Sequence, residues 1–304
     1  MMKKFLRRFL GFLTGVAMLL ALAEYCARIC PNAYRLKAEW MQTHQAEVKT
    51  LVLGSSHAYA GIDASLLDGG YNLSNSNQTQ RYDWLLLAQD SARLTSLQTL
   101  IYPASSLLMD YPLESTPEWY RCIYYQLYQG LQVHGWYTKY NWEVASIQTC
   151  CWKVQSLLLS GEADRMCDDL GRCTYYRADA SNYLNLTPDK LADRLSKYQL
   201  RAAVRSDVER YFDRIADYCQ RHKIRLLLVG TPVSRLYAES PLGKALLNEI
   251  AQDAQAAVQR YSCITYLDYA IDNRFSEADF FDVDHLNANG AQKLSLLLKE
   301  ELAH

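Results

Sequence analysis

Phe9 to Ala23 is an uninterrupted uncharged run, and Lys3, Lys4, Arg7 and Arg8 stand just before it. The run is short for a clean membrane span, which needs about 20 apolar residues. Phe5, Leu6 and Tyr25 extend it far enough if Arg7, Arg8 and Glu24 snorkel to the interface. The pattern predicts a transmembrane helix over residues 1–28, N-terminus inside and the remainder outside the cytoplasm, because the basic flank sets the orientation. A cleaved signal peptide is the competing reading, since Ala21-Leu22-Ala23 has the small-x-small form. Cys26 lacks a lipobox, with Glu24 and Tyr25 preceding it.

After the anchor, residues 29–48 read as a polar connector with helical character. From residue 49 onward the pattern alternates between short apolar runs and longer amphipathic ones. Thr50 to Leu53 is an apolar run stopped by Gly54, and Tyr71 to Leu73 follows Gly69-Gly70. Thr99 to Tyr102 is stopped by Pro103, Ile224 to Val229 ends in Gly230-Thr231-Pro232, and Ile264 to Leu267 is the last such run. Continuous apolar runs of this length fit parallel strands covered on both faces. Helical spacing is predicted over Arg81–Leu94, Pro188–His222, Pro241–Tyr261 and Ala288–Leu302. Strands alternating with helices predict an α/β fold, a three-layer α/β/α doubly wound parallel sheet of the flavodoxin-like type. Residues of about 110–187 break the alternation and read as an insertion within a domain spanning 49–304, placed to cover or extend a site.

Ligands of doubly wound sheets gather at the carboxyl ends of the strands. The segments to watch are therefore GSSH after the first strand, SNSNQT after the second, PASS after the third, GTPVS after the fourth and the chain beyond Tyr269. Composition adds little. Half the residues are hydrophobic and the net charge is −1, so no charge argument points to nucleic acid. The 23 tyrosines fit amphipathic packing better than a carbohydrate-facing surface. None of the spacings among the nine cysteines matches a zinc site, and no metal or organic cofactor is expected. If the domain is exported, Cys167 and Cys173 are placed to close a small loop around DDLGR. Cys219 and Cys263 read as small buried hydrophobes. His44, His134, His222 and His304 have no partner pattern.

The chemistry lies in two short stretches, LVLGSSHAYAGID (Leu51–Asp63) and FFDVDHLNANGAQKLS (Phe280–Ser295). A serine at one strand end and Asp-x-x-His at another supply what acyl transfer needs. The hydroxyl is a poor nucleophile until an imidazole takes its proton and a carboxylate fixes the ring's tautomer. These blocks resemble those of the SGNH (GDSL-like) hydrolase superfamily. With NLSNSNQT between them, they resemble its exported, membrane-anchored bacterial branch, including proteins of polysaccharide O-acylation and the D-alanyl transfer proteins. The likeness runs over roughly Thr50 to Leu302, apart from the insertion.

Carried over by position, the resemblance implies Ser56 as nucleophile, His285 as base and Asp282 as orienting acid, with Asp284 as the alternative acid. Asn77 stands where the family has a glycine, so the backbone N–H groups of Ser56 and Asn77 form the implied oxyanion hole. The family's G-x-N-D block is absent. PASSLL stands there instead, leaving its asparagine to be replaced by Ser105, by Ser106 or by nothing. Ser105 and His57 are placed as substrate contacts, His57 with a structural role as its alternative. Ser55 reads as a helix cap, as does Asn287. The resemblance implies a membrane-tethered esterase or O-acyltransferase acting on acyl esters of cell-envelope glycans, with a membrane-bound O-acyltransferase as a potential partner. The other reading is a non-catalytic surface protein of the same fold that binds polysaccharide or such a partner.

Overall fold

The computed structural model describes residues 1–133, 141–160, 166–177, 187–202 and 211–303. Its centre is a sheet of five parallel strands: β1 (Thr50–Val52), β2 (Gly70–Asn72), β3 (Thr99–Pro103), β4 (Arg225–Gly230) and β5 (Ile264–Asp268). The order is β2-β1-β3-β4-β5, the doubly wound arrangement in which the winding reverses between β1 and β3. Register is fixed by Leu51 against Leu100 and by Leu100 against Leu226.

Successive side chains of a strand face opposite ways, and the core divides accordingly. Leu51, Leu53, Leu100, Tyr102, Leu226 and Leu228 face one layer. Val52, Ile101, Leu227 and Val229 face the other, against Leu286, Leu294 and Leu298. The first layer holds α2 (Ala33–His44), α4 (Gln80–Asp90), α5 (Tyr120–Gln129), α8 (Tyr211–His222) and α10 (Pro241–Arg260); the second holds α3 (Ser56–Gly61) and α11 (Ala288–Leu302). The expected α/β fold, with its five strand positions, is what the chain adopts.

One assignment made from sequence differs in kind. The stretch read as a connector forms α2 and is packed into the domain. Tyr34 and Met41 are core residues, and Trp40 stacks on Tyr71 at 3.8 Å between ring centroids. Its polar sequence is reconciled with burial by Lys37, whose ammonium donates to the Ser74 carbonyl and lies 4.3 Å over the Tyr59 ring. Within the insertion, Cys122, Tyr124 and Tyr125 of α5 belong to the same core. Helix α6 (Ile147–Ser160) follows, then α7 (Pro188–Ala202) and α9 (Arg235–Glu239).

Helix α1 (Met2–Ile29) is long and apolar enough to cross a membrane. Its side chains from Phe5 to Leu22 are largely exposed, and Glu24 and Ala27 are buried. Only its last turns dock. Glu24 accepts the Val144 N–H at 3.0 Å, and Arg28 donates to the Asn141 carbonyl at 2.8 Å. Cys167 and Cys173 face each other across an antiparallel bridge with both thiols free. The loop between them, which a disulfide would close in an exported domain, is held by Asp168, which accepts the N–H groups of Leu170 and Arg172.

Candidate active site

Between β1 and α3 the chain turns at Gly54, whose φ is +109°. A side chain there would be strained, and its Cβ would sit 2.5 Å from Pro103 Cδ and 2.9 Å from Ser106 Oγ. That closeness brings the end of β1 against the end of β3, at the switch point of the sheet. The turn is pinned by hydrogen bonds. Gly54 N–H donates to Asp83 Oδ1 at 2.8 Å and Ser55 N–H donates to Ser106 Oγ at 3.1 Å. Asp83 also accepts from Gln78 Nε2 at 2.6 Å and the Tyr102 hydroxyl at 2.9 Å. Burial pushes its carboxyl up to about 7 in spite of those three donors. Ser56 is the first residue of α3.

The histidine comes from the loop before α11. Asp282 Oδ1 accepts the backbone N–H groups of Asp284 at 3.1 Å and of His285 at 2.8 Å, a local turn that sets the ring's direction. Asn287 caps α11, accepting from the N–H groups of Asn289 and Gly290, as its position suggested. The result is a chain of contacts. His285 Nε2 lies 2.8 Å from Ser56 Oγ, and His285 Nδ1 lies 2.9 Å from Asp282 Oδ1. Ser56, His285 and Asp282 are thus brought together.

Asp284 is more involved than a neighbouring residue need be. It is buried, and its Oδ1 approaches His285 Nδ1 at 3.1 Å and Arg194 Nε at 3.0 Å. These are ion-pair contacts, not aligned hydrogen bonds, and Oδ1 has no hydrogen-bond partner. Its Oδ2 meets His57 Nε2 at 3.3 Å and the Tyr198 hydroxyl at 3.2 Å. Arg194 also donates to Asp282 Oδ2 at 2.8 Å. One guanidinium therefore neutralises part of the charge of two adjacent acids.

These contacts set the ionisation. Burial works against a charged His285, but the carboxylates of Asp282 and Asp284 outweigh it and lift the imidazole to about 9. Burial also opposes charge on both acids. Arg194 and His285 hold Asp284 well below the usual carboxylate range, and His285 leads in holding Asp282 down. His57 goes the other way, its burial outweighing the hydrogen bond to Asp284.

The remaining sequence-derived positions fall as follows. Asn77 adopts φ +53°, a left-handed conformation suited to glycine and, next after it, asparagine; this is the position aligned with a family glycine. His57 Nδ1 lies 2.6 Å from Ser105 Oγ, so the two form a unit with Asp284. Ser106 is engaged with Ser55. Ser55 occupies the N-cap position of α3 without capping it through its side chain, contrary to expectation, because its hydroxyl sits with Ser106 instead. His44 is exposed against Trp40; His134 and His304 lie outside the described residues.

Arg194, Tyr198, Asp83 and Tyr176 were not singled out from the sequence. Tyr176 stacks on His285 with ring centroids 5.3 Å apart. Arg194 and Tyr198 stand four residues apart on α7, a spacing that places both on one helix face, but the acids they meet are about 90 positions away in sequence.

Beside His57 and Ser105 lies a cavity of about 250 Å³, lined also by Tyr198, Thr231, Tyr237, Asn248 and Asp268. His57, Asp284 and His285 have ligand atoms within 4.8 Å of one another, a grouping that could hold a metal ion. Here those atoms are already committed: Nε2 of His285 to Ser56, Nε2 of His57 to Asp284, and Asp284 to Arg194.

No family model matches the chain, and no curated protein does. Among solved structures, a GDSL-like lipase from Bacteroides thetaiotaomicron VPI-5482 is similar, at 11% sequence identity and a TM-score of 0.40, over 88% of this chain and 98% of that one. A likeness this loose speaks to neither activity nor substrate.

Proposed function

We propose that the chain is a serine esterase or O-acyltransferase of the SGNH type, tethered by α1 with its domain outside the cytoplasm and acting on acyl esters of cell-envelope glycans. The observation that carries this is the continuous contact from Ser56 through His285 to Asp282, at the switch point where such sheets hold ligands.

In this reading the Ser56 hydroxyl gives its proton to His285 Nε2 as Oγ attacks the ester carbonyl. Asp282 holds the ring and, with Asp284, stabilises the imidazolium. The oxyanion is received by the N–H groups of Ser56 and Asn77. The intermediate collapses, the C–O bond to the alcohol breaks, and His285 returns the proton to the leaving oxygen. Water, or a sugar hydroxyl in the transferase case, then gives its proton to His285 as it takes the acyl group, and as the bond from Ser56 Oγ to the acyl carbon breaks, His285 returns the proton to Oγ.

One observation favours the second reading, a non-catalytic binder that engages a polysaccharide or a membrane-bound O-acyltransferase. PASSLL stands where the family's G-x-N-D block would supply an oxyanion donor, and its serines are engaged with His57 and Ser55 instead. Hydrolysis of p-nitrophenyl acetate, followed between pH 7 and 9.5, separates the two. The enzyme reading expects turnover that Ser56→Ala and His285→Ala both abolish. Wild-type protein that is folded yet indistinguishable from Ser56→Ala across this range supports the binder.

A further inference from the structure

Helix α3 stands between two cavities. His57 borders the one already described. Tyr59, three residues after Ser56 and so on the same face of the helix, borders the other. This second cavity measures about 380 Å³ and is walled by Tyr34, Tyr59, Tyr124, Trp152 and Met166, with Asn75 and the cations of Arg121 and Lys153 also in its lining.

Its chemistry is uneven in an informative way. The tyrosine bodies dominate the wall, and two of the hydroxyls are used within the protein: Tyr59 donates to the Met166 carbonyl and Tyr34 accepts from Arg121. Asn75 is different. It is 2% exposed, and its Nδ2 has no acceptor. Leaving a buried amide donor unpaired costs about 1–3 kcal/mol, so such a group calls for an explanation. The Asn75 backbone N–H donates to the Gly54 carbonyl at 3.2 Å, which ties this residue to the turn that carries Ser56. Ser105 and Ser106, the serines that follow β3, are engaged with His57 and Ser55.

A chamber with a largely aromatic wall and two unpaired buried donors, Asn75 Nδ2 and the Tyr124 hydroxyl, next to the serine turn, suits an acyl group: a hydrocarbon chain ending in a carbonyl. We infer that this cavity binds the acyl portion of the substrate, with Asn75 Nδ2 donating to its carbonyl oxygen as a third donor beside the N–H groups of Ser56 and Asn77. The inference rests on the Ser56 reading for its place in a reaction, but the binding itself needs no turnover. The more polar cavity at His57 and Asp268 is left for the other partner of the ester.

The test uses full-length protein in lipid nanodiscs and a non-hydrolysable probe, an octanamide with a mid-chain diazirine. After photolysis, adducts are mapped by peptide mass spectrometry. Expected are saturable adducts on the peptides carrying Tyr59, Tyr124, Trp152 or Met166, displaced by excess octanamide. Asn75→Leu should lower their yield at sub-saturating probe by about three- to tenfold, the worth of one hydrogen bond. Should Asn75→Leu not fold, Thr149→Trp, placed in the cavity wall, should block the same adducts. Adducts confined to α1 or to the His57 cavity, or a yield indifferent to both substitutions, would overturn the inference. Loss of reactivity at Ser56 with the adduct map intact would instead strike the enzyme reading and spare the cavity.

Discussion

His285 faces a serine with one ring nitrogen and two acids with the other, and an arginine stands behind the acids. In the proposed mechanism the imidazole must be neutral before it takes a proton, so activity should rise with pH along a limb near 9, where the folded-state value lies. A pH–rate profile of ester hydrolysis checks this. Arg194→Met removes a positive charge that holds His285 down, so the limb should move to higher pH and the rate at pH 7 should fall. A limb that moves down, or stays, would mean Arg194 does not act through the ring. Asp282→Asn removes the direct partner of Nδ1 and should cost about 10²- to 10⁴-fold in kcat with the fold retained, the range expected when the base is disoriented.

Stability should follow the opposite limb. His285 is raised in the folded state, so its contribution is complete below its unfolded value of about 6.5 and is lost as pH rises through 9. Asp282 and Asp284 are depressed, so theirs is present above about 3.9 and lost as pH falls below it. Denaturation midpoints across pH should therefore show a site that stabilises the fold where it is least reactive. Of this cluster, Ser56 was legible from sequence because it sits in a short pattern at the end of β1, and Asp282 and His285 because they form a short Asp-x-x-His pattern before the last helix. Arg194, Tyr198 and Tyr176 were not, because their contacts join segments far apart and nothing in their own neighbourhoods marks them.

Among elements, the turn from β1 into α3 carries most of the constraint. Its glycine is left-handed and in contact with the ring of Pro103. Gly54→Ala should destabilise the protein by about 2–4 kcal/mol, from strained backbone plus overpacking; chemical denaturation measures it. A loss below about 0.5 kcal/mol would show that the turn relaxes freely. The five strands were legible because each is a short apolar run ended by glycine, proline or a polar residue. Helix α2 was legible as a helix but not as part of the domain. Its Lys37 reads as surface, and only the distant Ser74 carbonyl and Tyr59 ring make its burial tolerable. The thiols of Cys167 and Cys173 show the same limit, since their spacing suggests a disulfide while the loop they flank is held by Asp168.

For the molecule as a whole, the proposal places the sheet outside the cytoplasm, with α1 in the membrane. Protease added to intact spheroplasts should digest the domain, and permeabilisation should add nothing. Protection until lysis would put the domain on the other side and remove the case for envelope glycans. The α/β architecture itself followed from alternating strand and helix patterns, and the 2-1-3-4-5 order brings residues more than 220 positions apart to one edge. What the sequence does not carry is the division of that edge into two cavities, which depends on side chains contributed by many elements.

The central claim is that Ser56 is an activated nucleophile, and a fluorophosphonate probe tests it without knowledge of the substrate. Intact-mass and peptide analysis of the folded, full-length protein should find a single adduct on Ser56, absent from Ser56→Ala and from His285→Ala, and retained in Ser55→Ala. A folded wild type that takes up no probe, or an adduct that survives in Ser56→Ala, would contradict the account.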